Sequence, residues 1–358
     1  TNISDGAGSL NDAYEWAKKN GADYIGVTDH SNWFDNDTSA NINDGSASTK
    51  WVDAHNVADK YNEENVFTAI YGYEMTWSGS TGGWGHINTF NTDGFETRTN
   101  SAMDLANYYG TISGVSESLS QLNHPGKTFG DFADFGYYSE AVDDVVFLVE
   151  VGNGEGEIGG SGYFPSYEYY TRALDKGWHV APSNNQDNHK GKWYTSNTAR
   201  TVILAEENTR EGLYNAIRNL RVYASEDANM TVEYTVNDNV MGSILEETNE
   251  NLKFNVSAAD QDKNDKIARI SIIANGGTEV ISKEFNSEEA SWQFELSPEY
   301  SYYYVKVVQA DGQIAVTAPV WVGESVNVGL QEAKVDNELT LPNEDVEISL
   351  GVYNNSSE

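Results

Sequence analysis

Tyr24-Ile25-Gly26-Val27-Thr28-Asp29-His30 reads as a short buried strand that ends in a carboxylate and an imidazole. Such a strand carries both polar groups out of the end of a sheet, where a cation can collect them. Four later segments repeat the arrangement: Ala69-Ile70-Tyr71-Gly72-Tyr73-Glu74, Gly85-His86-Ile87-Asn88, Gln121-Leu122-Asn123-His124-Pro125-Gly126 and Ser183-Asn184-Asn185-Gln186-Asp187-Asn188-His189. Together they read as one polynuclear metal site, built from the strand ends of a single barrel-like domain.

Outward from that strand, Leu10, Ala13, Tyr14 and Ala17 share one helix face within 8–20, with Trp16 off the face and Gly21 as a stop signal. The Asn/Asp/Ser/Gly-rich stretch 32–48 reads as a long loop over the site. Helices are expected over 50–61, 102–109, 165–176 and 210–220. Strands are expected over 66–73, 85–90, 118–122, 145–151, 178–181 and 201–205. This alternation implies a parallel α/β domain over residues 1–228. From Met230 onward only strands are expected, over 231–236, 252–257, 267–273, 292–296, 302–309 and 316–322. They fit an antiparallel sandwich of about a hundred residues, here 229–323. Further strands over 335–341 and 346–352 read as the opening of a third β domain in 324–358.

The 358-residue length calls for more than one domain, and 39% hydrophobic residues are enough for real cores. An aromatic content of 12% argues against disorder. The chain has no cysteine, which removes disulfides, thiolate nucleophiles and thiolate-bound zinc together. Acidic residues number 56 against 21 basic, for a net charge of -35. That balance repels nucleic acid and anionic membrane surfaces, and no apolar run approaches the roughly 20 residues of a membrane span. The acid excess reads as the solubilising surface of an extracellular or cell-surface bacterial protein, with calcium binding by part of it as the lesser alternative.

The chain has six histidines, and His30, His86, His124 and His189 stand at strand ends beside Asp, Gly or Asn. Imidazole with carboxylate suits zinc, manganese or iron, whereas calcium and magnesium prefer all-oxygen shells. Glu74 can bridge two such cations, and a water between them becomes a nucleophile near neutral pH. His55, within a helical pattern, and His179, beside Trp178, read as packing or surface residues. No serine nucleophile with a convincing partner is visible.

Residues 1 to 228 resemble the PHP (polymerase and histidinol phosphatase) superfamily, in the branch of carbaryl-hydrolase-like metallohydrolases. The resemblance rests on Thr1-Asn2-Ile3-Ser4-Asp5-Gly6, Thr28-Asp29-His30, Gly72-Tyr73-Glu74, Gly85-His86, Asn123-His124-Pro125-Gly126 and Asp187-Asn188-His189. It implies an α/β fold, a distorted (β/α)7 barrel, with two to three divalent metal ions at the C-terminal ends of its strands. By position Glu74 would bridge, His86 and His124 would complete one metal, Asp5, His30 and His189 would hold a second, and Asp187 would belong to the third. Catalytic roles then fall on Glu74, Asp187 and His189. The family's first strand ends in His-x-His just ahead of Thr-x-x-Ser-Asp-Gly, and this sequence begins at that threonine. The expectation is that it is a window on a longer protein with His-x-His immediately upstream. The β-rich half is similar to bacterial Ig-like domains, which would space the catalytic part or attach it to a cell surface.

The expected activity is hydrolysis, first of a small phosphoester. Lys127 and Lys190 stand beside the ligand segments in a lysine-poor chain, as does Lys192, and Arg200 is a weaker candidate for the same task. A carboxylic ester, carbamate or amide is the alternative substrate, and a surface or filament protein that keeps the fold without catalysis is the third reading. Trp77, Trp84, Trp193 and Tyr194 could rim the site. The acidic stretch from Ala259 to Ile267 lacks the glycine and distal glutamate of an EF-hand loop, and reads as a hairpin turn.

Overall fold

The computed structural model describes residues 1–34, 40–98, 103–263 and 265–323, together with the strands at 328–335 and 348–354. Its first half is mixed α/β and is organised by a strongly curled sheet, an open half-barrel. The strands are β1 Tyr24–His30, β2 Thr68–Thr76, β3 His86–Phe90, β4 Leu119–Asn123, β5 Val146–Asn153, β6 Phe164–Pro165 and β7 Ala181–Asn185. They pair in the order β1-β2-β3-β4-β5, with both β6 and β7 on β5.

Parallel pairing holds for β1–β2, β4–β5 and β5–β7, while β2–β3 and β3–β4 are antiparallel. The all-parallel expectation therefore fails in the middle of the sheet. The linker over 77–85 is shorter than the roughly dozen residues a parallel crossover needs, so β3 returns as a hairpin. The strand expected over 178–181 also moves, to 181–185. Trp178 is fully buried because its indole donates to the Phe135 carbonyl at 2.9 Å, so its apolar character reflects core packing. The neighbouring Ser183-Asn184-Asn185 is the strand, and its amides serve the cavity described below.

Helices α1 Leu10–Lys19, α2 Thr49–Tyr61, α3 Leu105–Ser113, α4 Phe132–Phe135, α5 Glu140–Asp143, α6 Tyr167–Asp175 and α7 Arg210–Arg218 accompany this sheet. In α1 the buried residues are Leu10, Ala13, Tyr14 and Ala17, and Ser9 and Asp12 form a reciprocal capping box. The turn α4 is left-handed, with φ near +55° from Phe132 to Phe135, and it seats both phenylalanines in the core. Among the described residues no helix is long and apolar enough to cross a membrane. Residues 35–39, part of the loop expected over 32–48, lie outside the described residues, as does Ala102 of the third expected helix.

The second half is all β. Strands β10 Thr231–Val236, β11 Asn239–Val240, β13 Leu252–Ala259 and β16 Glu289–Leu296 form one sheet. A second sheet holds β12 Ile244–Leu245, β14 Ile267–Ala274, β15 Thr278–Ser287, β17 Tyr302–Gln309, β18 Ile314–Thr317 and β19 Val320–Val322. β10 and β13 alternate buried and more exposed residues, and Tyr234 and Phe254 reach across to Tyr303 of the other sheet. Sequence reading misses β15 because its exposed, charged pattern is that of an edge strand. The strand expected over 316–322 splits at Ala318-Pro319, where proline has no N–H to give the ladder.

Strands β8 Arg200–Ile203 and β9 Val222–Ser225 precede residue 228, yet they join the second sheet through β18. Hydrogen bonding thus runs across the expected division at 228. β8 also reaches the half-barrel through side chains: Tyr24 donates to the Thr201 carbonyl at 2.6 Å, and Thr201 accepts from the Asn184 N–H. Beyond residue 327 the described strands are β20 Val328–Val335 and β21 Ile348–Asn354, an antiparallel pair. Most of the strands expected over 335–341 and 346–352 lies outside the described residues.

Candidate metal centre

Glu74 leaves the sheet at the C-terminal end of β2 and is buried. His30 ends the neighbouring β1 in register with it, His86 opens β3, and His124 follows β4 directly. Three imidazoles thereby surround one carboxylate. His30 Nδ1 lies 2.9 Å from Glu74 Oε2, while His86 Nδ1 and His124 Nε2 lie 3.1 and 3.7 Å from Oε1. The Asn123 amide donates to the same Oε1 at 3.0 Å. A second group adjoins the first: Asp5 lies 3.6 Å from His30 and 3.4 Å from His189, and His189 lies 3.6 Å from Asp187.

Two sets of donor atoms, Glu74/His86/His124 and Asp5/His30/His189, each converge within 4.8 Å. The seven side chains singled out in the sequence thus occupy one place, and Asp187 stands beside the second set. Crowding of two imidazoles and an amide on one carboxylate oxygen fits a site that shares its donors with cations. The donor chemistry, imidazole with carboxylate, fits zinc, manganese or iron.

Burial works to raise the Glu74 carboxyl, but hydrogen bonds from His124, His30 and His86 outweigh it and hold the group well below the usual carboxylate range. Burial lowers His124, yet the Glu74 hydrogen bond and the charges of Glu150, Glu74 and Asp187 carry it up to about 9. His30 is raised in the same way, against its own burial, by Glu74 and Asp5. Asp187 opens to the cavity but is hemmed in by protein, and that desolvation, followed by the Glu74 charge, raises it.

Two of these residues adopt left-handed backbone conformations that cost a non-glycine residue energy: His124 at φ +28° and Asp187 at φ +47°. At His124 the strained backbone is held by Glu150, whose carboxylate accepts the His124 N–H at 2.6 Å. Glu150 was not singled out in the sequence, although a lone carboxylate inside the apolar run 145–151 was the available signal. It also accepts from Asn153 and Asn185, both at 2.9 Å, and burial pushes it up to about 7. Asp29 departs from expectation. It alternates to the face opposite His30 and accepts from the Thr1 and Ser4 hydroxyls at 2.9 and 2.7 Å. It therefore fixes the loop that carries Asp5 and does not join the cluster.

A cavity of about 690 Å³ opens in the gap of the half-barrel, between β1 and β8. Asp5, His30, Glu74, Asp187 and His189 line it, with a wall of amides from Gln121, Asn123, Asn153, Asn184 and Asn185. Among the described residues Arg200 is its one lysine or arginine. The Arg200 guanidinium lies 4.0 Å from the Tyr194 ring centroid, and its Nε is buried without a partner. Lys127 is exposed and off the cavity wall. Lys190, 78% exposed, pairs with Glu155 at 2.8 Å.

Of the four expected rim aromatics, Trp193 and Tyr194 line the cavity. Trp77 is instead buried in the core and donates to the Met103 carbonyl, while Trp84 packs on Tyr137. The sequence reading overlooked Phe129, an exposed ring 5.1 Å from His86 and 4.8 Å from His124. His55 packs on Trp51, and His179 pairs with Asp143 at 2.6 Å, both away from the cluster.

No family model matches the chain, and no curated protein matches it. Among solved structures, the crystal structure of an engineered protein is similar at 12% identity over 76% of this chain and 69% of that one. Its TM-score of 0.18 carries no argument about fold or site.

Proposed function

We propose that this protein is a metal-dependent hydrolase of the PHP superfamily, of the carbaryl-hydrolase-like kind, whose half-barrel is followed by an Ig-like sandwich. The observation that carries the reading is the convergence of Asp5, His30, Glu74, His86, His124, Asp187 and His189, from distant segments, on one place, where Asp5, His30, Glu74, Asp187 and His189 line a cavity. Two to three zinc, manganese or iron ions bound there would bring a water's pKa towards neutrality and offset charge on the substrate. Glu74 lies between both donor sets and is the group able to serve two ions. Asp187, on the more open side with His189 beside it, would hold or pass a proton at the water and the leaving group. Trp193, Phe129 and the amide wall would limit access of bulk water.

A phosphoester is the first substrate class, with Arg200 as the cation that meets it. The neutral amide wall is what supports a second reading, a carboxylic ester, carbamate or amide. Turnover of p-nitrophenyl phosphate, its bis-ester and p-nitrophenyl acetate by metal-loaded protein separates the two. Stoichiometric metal without any turnover would favour a binding or structural role at a cell surface. Arg200→Ala is expected to raise KM for the phosphate about tenfold or more through loss of a charge-assisted contact, with the acetate unaffected. Lys190→Ala, which removes an exposed group already paired with Glu155, is expected to change neither. Equal effects of Arg200→Ala on both substrates would exclude phosphate recognition by this residue.

Metal loading should release protons. In the metal-free cluster His124 keeps its proton up to about pH 9, and a ligating imidazole must be neutral. Near neutral pH about one proton should therefore leave as the Glu74/His86/His124 set fills, with the release fading as pH rises through the His124 pKa. Calorimetric titrations in buffers of different ionisation enthalpy measure it. A binding enthalpy independent of buffer would remove His124 from the ligand set.

A further inference from the structure

A second cluster of acids is separate from the histidine groups and lies where strand ends of the all-β half meet. Asp260 follows β13, Asp262 and Asp265 lie in the turn before β14, and their carboxylate oxygens converge within 4.8 Å. Asp227, just past β9, and Asp311, just past β17, add their charges to the group. Among the described residues no lysine, arginine or histidine forms an ion pair with any of the five. Burial and then these like charges raise both Asp260 and Asp265.

Acidic turns are common on protein surfaces, and this one alone would mean little. Gln309 supplies the independent observation. It ends β17, is 2% exposed and presses its amide against Asp260, with Nε2 2.7 Å from Oδ2. The carbonyl end of that same amide, Oε1, is buried and has no hydrogen-bond partner. Asn229 repeats the pattern: its Nδ2 lies 3.1 Å from Asp262 Oδ2, and its Oδ1 is buried without a partner. A buried, unsatisfied amide oxygen is costly because it has lost its water without gaining a partner. Two such oxygens, each on a side chain that touches one of these carboxylates, are what a bound cation would satisfy.

We propose that Asp260, Asp262 and Asp265, with the amide oxygens of Gln309 and Asn229, bind one calcium ion that ties β9, β13, β14 and β17 together. Six to eight oxygens in irregular geometry suit calcium, whereas magnesium demands a tight octahedron and zinc favours nitrogen or sulfur. The sequence hides the site. Its contiguous part, from Asp260 to Asp265, fails the EF-hand pattern, and the remaining donors arrive from residues 227–229 and 309–311.

The test is calorimetric titration of the chelator-treated full chain with calcium chloride, for wild type, Asp265→Asn and Glu74→Gln. Asp265 is only half-buried and repelled by its neighbours, so Asp265→Asn should fold and melt no lower than wild type without calcium. Wild type should bind one calcium ion per chain at this cluster and melt higher in its presence. Asp265→Asn should weaken that binding about tenfold or more, and Glu74→Gln should leave it intact. Absence of binding up to about 1 mM calcium, the weak end for extracellular modules, overturns the proposal. So does an Asp265→Asn affinity equal to wild type, or a calcium site abolished by Glu74→Gln.

Discussion

Glu74→Gln should remove the metal centre while keeping the shape of the side chain. Glu74 alone contacts three imidazoles, and a neutral amide can neither bridge two cations nor balance their charge. Loss of the charge stabilisation that a cation lends an anionic transition state, about 4 kcal/mol, corresponds to about a thousandfold in rate. Hydrolysis should therefore fall by about that factor, and metal content should fall well below one ion per chain. In the metal-free protein the substitution also takes away the charge that raises His30 and His124. Both should then titrate lower, and residual metal binding should release fewer protons than in wild type. Elemental analysis and turnover on p-nitrophenyl phosphate are the readouts. A variant that keeps stoichiometric metal and full activity would show that Glu74 is a packing residue.

The clustered side chains were legible because their chemistry is local. A histidine or carboxylate at the end of a strand declares itself without any knowledge of what it will face, and five such segments held six of the seven side chains, while Asp5 came only with the family resemblance. Asp29 shows the limit of that reasoning. Strand alternation sends it to the face opposite His30, where it holds Thr1 and Ser4, and a dipeptide cannot say which of its two side chains takes the inner face. Which cations face the cavity was less legible still. Lys190 is adjacent to His189 in sequence, yet its side chain leaves the cavity for Glu155, because the backbone turn at Gly191 is not encoded in composition. Strand direction around β3 depended on linker length more than on periodicity. The join between the two halves, made by β8 and β9 through β18, depends on long-range pairing that no local pattern signals.

Gly130→Ala should damage stability and metal affinity together, although Gly130 bears no ligand. Gly130 sits at φ +125°, a conformation that costs any L side chain energy. A Cβ there would stand 2.3 Å from the Gly83 carbonyl oxygen and 2.6 Å from the Gly85 nitrogen. Both are backbone atoms of the turn that leads into His86, so no side chain can swing away. On the other side, Gly130 closes the short loop after His124 through paired hydrogen bonds with Gly126 at 2.9 Å, and that loop carries Phe129 over the imidazoles. Relief of the clash must push the two segments apart, and with them the His86 and His124 rings, now 4.7 Å between centroids. The combined conformational and steric cost is about 2–4 kcal/mol, and a ligand shift of a few tenths of an ångström should weaken metal binding about tenfold or more. Gly79→Ala is the matched control in the same hairpin, since its Cβ would meet nothing within 4 Å and its φ is not left-handed. Melting temperatures and metal titrations of the two variants decide the matter. If Gly130→Ala behaves like Gly79→Ala, the turn before β3 and the loop after β4 do not act as one support for the imidazoles.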